Sequence, residues 1–156
     1  MNSPALKAFS VERIGAGEKC LVVDLDACTG MDSTFMGTLA GIATRVTAGG
    51  SGVLQIANAG TRNRRSLEDL GLDFLMDIDP VDAAWLESID AIRTQLDPPL
   101  PPGAQGPLQQ TKHVLEAHQI LADTNEKNQK TFSTVVSLLG AELESKEKLA
   151  GKPKEK

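Results

Sequence analysis

The sequence predicts an α/β fold, a small sheet whose strands alternate with helices. Two short aliphatic runs, residues 20–25 (CLVVDL) and 53–57 (VLQIA), have the length and bounding residues of strands buried in a sheet. Between them, Met36, Leu39, Ala40, Ala43 and Val46 repeat at helical spacing. The same alternation continues after residue 57, and it favours parallel strands joined by right-handed crossovers.

Taken in order, Ser3-Pro4 marks a helix start, with Leu6, Phe9, Val11 and Ile14 as a rough apolar face and Gly15 and Gly17 as its stop. IGAGEK, residues 14–19, is a turn; its spacing is too short for a P-loop and no strand precedes it. Residues 20–25 are expected as a buried strand. Residues 26–32 form a turn of small and polar residues, and Asp32 and Ser33 open the helix over 33–46. AGGSG at 48–52 ends it. The strand 53–57 follows, then a turn, and then a helix over 62–70 that Gly71 stops. Residues 74–78 are a short edge strand. Asp79, as cap, and Pro80 start a further helix, in which Trp85 repeats with Ile89, Ile92 and Leu96 and is expected to pack on the sheet.

Residues 97–110, DPPLPPGAQGPLQQ, are a proline-rich linker that closes a domain over 1–96. Beyond it, Leu115, His118, Ala122, Asn125, Gln129, Phe132, Val136, Leu139 and Leu143 alternate spacings of three and four, with a polar middle. One long amphipathic helix over 111–144 is expected, separable from the domain. It either docks on its own domain or pairs with a second copy of the chain. The Lys-rich tail over 145–156 is expected to be disordered.

Composition excludes several classes. Aromatic residues make up 3% of the chain and the formal net charge is -5, which argues against a stacking platform or a basic surface for nucleic acid. No apolar run has the length of a membrane span and no secretory signal pattern opens the chain, so no membrane partner is expected and the expected compartment is the cytoplasm. Cys20 and Cys28 are too few and too far apart for a metal centre and read as free thiols. Neither metal nor cofactor is expected.

The chemistry concentrates at Asp32-Ser33. A hydroxyl at the start of a helix sits beside free backbone N–H groups and the positive end of the helix dipole, so a phosphate there is well accommodated. The segments DLDACTGMDSTFMG, ANAG and RSLEDLGL, in that order, resemble the STAS domain of anti-sigma-factor antagonists, over about residues 3–96. The resemblance implies that Ser33 is a phosphoacceptor, with Asp32 as its preceding acid and Thr34 as its neighbour. Phe35-Met36 stands where the family has Gly-Leu, while Gly37 is kept. The implied partner is a serine-kinase anti-sigma factor, docking on Asp26, Asp32, Thr34, Phe35, Met36 and Arg62. Arg62, Arg64 and Arg65 read as a solvated face or as a contact for acid or phosphate; the family's loop position raises the second reading. The family also places one or two strands before the first helix. This chain shows none, so either those strands are expected upstream of Met1 or something else covers the exposed sheet edge.

A serine nucleophile would need a base. His113 and His118 lie beyond the linker, five residues apart, and on sequence they are not placed near Ser33. The chain is therefore not expected to be an enzyme. The alternative to the switch is a constitutive interaction module in which Ser33 only caps a helix.

Overall fold

The computed structural model describes residues 2–96 and 105–150. The chain runs α1 (Ser3–Gly15), β1 (Cys20–Asp24), α2 (Ser33–Thr47), β2 (Val53–Ala57), α3 (Gly60–Asp69), a 3-10 turn at Leu72–Phe74, β3 (Asp77–Ile78), α4 (Ile89–Gln95), α5 (Pro107–Thr124) and α6 (Glu126–Ala150). The α/β class and the alternation are as the sequence implies. All three strands are parallel and lie in the order β1-β2-β3, with Cys20 opposite Val53 and Gln55 opposite Asp77.

That order decides which face is covered. Two right-handed crossovers stepping the same way put α2 and α3 on one side of the sheet. Leu54 and Ile56 of β2 turn to that side and meet Leu39, Ala43, Val46 and Leu67 in the main apolar cluster. The other face carries Cys20, Val22, Asp24, Gln55 and Asp77. It is overlaid at two points: Trp85 Nε1 donates to Gln55 Oε1 at 2.7 Å, and Arg93 Nη2 donates to Asp24 Oδ1 at 3.0 Å. Residues 20–25 are therefore not a buried strand. Only Leu21, Val23 and Leu25 turn inward, while Cys20 is exposed and Val22 is 40% exposed. A run apolar at consecutive positions suggests burial on both faces, but here the face of β1 that carries Cys20 and Val22 is left exposed.

Residues 74–78 pair with β2 only at Asp77 and Ile78, because the 3-10 turn uses the first part and leaves Phe74 89% exposed. The helix expected from Asp79 begins ten residues later. The Asp79 carboxylate accepts from the Ala59 N–H at 3.2 Å and from Arg64 Nη2 at 2.8 Å, so it bridges to α3 and does not cap its own segment.

The single helix over 111–144 is replaced by a hairpin. The chain breaks at Asn125 (φ -164°, ψ 166°), whose Oδ1 accepts from the Asn128 N–H at 2.9 Å and so caps the start of α6. Asn125 Nδ2, Asn128 Nδ2 and Lys127 Nζ donate to the Leu70 and Asp69 carbonyls, which the end of α3 leaves open. The heptad stripe is consequently used inside the chain, as α5 and α6 lie along one another and α5 crosses α2. Leu121 joins the main cluster with no exposed surface, so the hairpin belongs to the core. The helix begins at Pro107, inside the expected linker, and residues 97–104 lie outside the described residues. Residues 145–150 are helical, not a disordered tail: Lys146 Nζ donates to Thr111 Oγ1 at 2.7 Å and Lys112 pairs with Glu147. The rest of that tail is outside the described residues.

Candidate functional site

The site lies at the carboxyl end of β1 and the start of α2. Asp32, in extended backbone, is the N-cap of α2, and its Oδ1 accepts from the Phe35 N–H at 2.7 Å. Ser33 is therefore the first helical residue and not the cap. The N–H groups of Ser33 and Thr34 have no intrahelical partners at this position.

The loop that delivers Ser33 is held by α3. Buried Asn63 donates through Nδ2 to the Cys28 carbonyl at 2.7 Å, and Arg62 Nη1 donates to the Thr29 carbonyl at 3.3 Å. The Arg62 guanidinium lies over Gly30, at a distance that would be ordinary contact for a Cβ there, 3.5 Å from its central carbon. Arg62 thus grips the loop with an exposed side chain beside the site. Arg64 is engaged with Asp79 and Glu68, and Arg65 with Asp69. At the strand ends, Asn58 (φ 53°) and Asp79 (φ 49°) hold a left-handed conformation that non-glycine residues seldom adopt. Asn58 Nδ2 donates to Asp24 Oδ1 at 3.1 Å. The Arg93 guanidinium beside Asp24 holds that carboxyl below the usual carboxylate range.

The residues expected to meet a partner differ in exposure. Asp26, Asp32 and Arg62 are exposed, and Thr34 and Met36 are half-buried. Phe35 is buried in the main cluster and is not presented to a partner. Its bulk is absorbed by the core: at the third position of α2, the side chain falls on the inward stripe with Leu39 and Ile42.

The structure adds what the sequence did not place there. α5 brings His118 to Ser33, with Nε2 2.9 Å from Oγ across 85 positions of chain. His118 Nδ1 lies 2.8 Å from the Val114 carbonyl. A carbonyl only accepts, so Nδ1 carries the ring proton, and in the neutral ring Nε2 accepts from the Ser33 hydroxyl. The expectation that the histidines stand apart from Ser33 is corrected, and the serine itself is half-buried. A second pair lies alongside, where His113 Nε2 is 2.9 Å from Ser3 Oγ and 3.5 Å from Thr38 Oγ1. Burial, and then the Lys7 charge, push the His113 imidazole below its ordinary value. The five-residue histidine spacing matches that of Ser33 and Thr38 on α2, and that correspondence is the signal present in the sequence.

Among the described residues no three His, Cys, Asp or Glu side chains gather as a metal site requires, and no helix is long and apolar enough to cross a membrane. Comparison with family models, with curated proteins and with solved structures returns no match.

Proposed function

We propose that this chain is a STAS-type interaction switch, an anti-sigma-factor antagonist that binds a serine-kinase anti-sigma factor and loses that partner when Ser33 is phosphorylated. The observation that carries the reading is the position of Ser33 at the first turn of α2, directly after the loop that follows β1 and behind the Asp32 cap. A phosphate there meets the open N–H groups and the positive end of the helix, so the fold tolerates it. It adds about -1.5 to -2 charge at pH 7, beside the exposed carboxylates of Asp26 and Asp32. The partner's surface is repelled without unfolding of the domain. The kinase supplies the nucleotide and magnesium, this chain is the substrate and not the enzyme, and the exchange takes place in the cytoplasm.

A constitutive module is the second reading, favoured by one observation: the Ser33 hydroxyl is half-buried and already bonded to His118. The two are separated by site-mapped mass spectrometry of protein isolated from its native cells, and by calorimetry against the kinase that copurifies with it. The switch predicts phosphate on Ser33, none on Ser33→Ala, and at least tenfold weaker binding of Ser33→Asp. Unchanged affinity of Ser33→Asp, with no phosphate on Ser33 or Thr34, establishes the constitutive module instead.

A further inference from the structure

We infer that His118 is the proton acceptor for Ser33, so that the chain carries within itself the base that activates its own phosphoacceptor. For the natural reaction the inference rests on the proposed switch. As the phosphoryl group arrives, a bond forms between Ser33 Oγ and the γ-phosphorus of the partner's nucleoside triphosphate. The bond from that phosphorus to the β,γ-bridging oxygen breaks, the nucleoside diphosphate leaves, and the hydroxyl proton passes to His118 Nε2. The imidazolium then faces the new phosphate, a charge-assisted contact, until it returns the proton to solvent.

Three features fit this role. The 2.9 Å separation of Oγ and Nε2 is within the reach a general base needs. The tautomer is set by the bond from Nδ1 to the Val114 carbonyl, which leaves the lone pair of Nε2 aimed at the hydroxyl. The ring is also fixed in place. His118 is 6% exposed, and the Phe132 ring of α6 meets it edge-on at 5.6 Å and 68°. Two helices therefore hold one imidazole on one hydroxyl. Simple capping of α2 does not require this arrangement, because Asp32 already caps the helix.

The hydroxyl's reactivity is read without the kinase by treating the full chain with an alkyl fluorophosphonate. Here the Oγ–P bond forms, the P–F bond breaks, fluoride leaves and the proton again goes to His118. The expected result is a single adduct mapped to Ser33 and absent in Ser33→Ala. His118→Phe keeps the ring packing against Phe132, and His118→Gln keeps a polar side chain; both are checked for cooperative unfolding. Each should label about 10²-fold more slowly than the native chain, the lower range for a lost general base. A native chain that leaves Ser33 unlabelled, or variants that label at the native rate, overturns the inference. The two readings fail separately. Phosphate on Ser33 from native cells with labelling indifferent to His118 removes the base and keeps the switch, whereas His118-dependent labelling without native phosphate removes the switch and keeps the base.

Discussion

One ring at the junction of three helices shows how much a single residue decides. His113 of α5 bonds Ser3 at the start of α1 and stands near Thr38 of α2, and Lys7 pairs with Glu116 one turn further along. Its pKa is lowered by burial and by Lys7, against a smaller opposing effect of Glu116; Arg45 of α2 lines the same cavity. The folded ring thus resists protonation more than the unfolded one. The unfolded chain binds the extra proton first as pH falls, so the contribution of His113 is fully present above the ordinary histidine value of 6.5 and is lost as pH drops through the lowered folded value. Urea unfolding of the native chain from pH 7.5 down to 5 should show this loss, and His113→Gln should flatten that part of the profile. Parallel profiles for the two proteins would show that the ring's ionisation is not linked to folding. Asp32 was legible as a cap because capping is local, its acceptor reaching only three residues ahead. The bond between Ser33 and His118 was not legible, since it depends on where a distant helix docks.

The crossing of α2 and α5 is set by two glycines one helical turn apart. A Cβ on Gly37 would stand 2.2 Å from the Ala117 carbonyl oxygen, and one on Gly41 would stand 2.8 Å from Ile120 Cδ1. The first clash is with backbone, which cannot turn aside as a side chain can. Gly37→Ala gains roughly 1 kcal/mol of helix propensity, yet α5 must shift away. Overpacking of this kind costs about 1–3 kcal/mol, so net destabilisation is expected, together with slower fluorophosphonate labelling as His118 moves off Ser33. Equal or greater stability with unchanged labelling would mean that the helices separate without cost at this point. Gly37 was visible in the sequence, but its close approach to α5 was not. The break at Asn125 left a clearer trace. The heptad stripe runs through it because Leu115, His118 and Ala122 of α5, and Phe132, Val136 and Leu139 of α6, keep helical spacing on both sides. The polar Thr124-Asn125-Glu126 in the middle of that stripe was the local sign of a new N-cap. What confirms the turn is tertiary, three donors reaching the end of α3.

At the scale of the whole molecule, the helices of the described residues are stacked in depth on one side of the sheet, while Trp85 and Arg93 overlay the other at two points. β2 matched its expected span over Val53–Ala57 because its inward residues and its neighbours agree on one face. β1 and β3 are edges, and their extent depends on pairing that a local pattern does not encode. With so little sheet, the core is completed from the far end of the sequence. Leu121 is fully enclosed within the main cluster, while Leu115 and Ala117 are buried where α5 meets its neighbours. Removing residues 105–150 would uncover the apolar surface of α2 that α5 covers and open the last carbonyls of α3. It would also release Ser3 and Lys7 of α1 from their partners on α5. A buried leucine alone is worth about 2–5 kcal/mol when cut back to alanine, and a domain of this size has only about 5–15 kcal/mol in total. The truncated chain is therefore expected to lose cooperative thermal unfolding. Leu121→Ala in the full chain should lower the stability by about 2–5 kcal/mol while leaving the transition two-state. Calorimetry of the three proteins decides the matter. If residues 2–96 alone unfold cooperatively near the temperature of the full chain, α5 and α6 are an appendage and the site at Ser33 is complete without them. If they do not, the base at Ser33 and the core of the domain come from the same helix, and neither can be removed without the other.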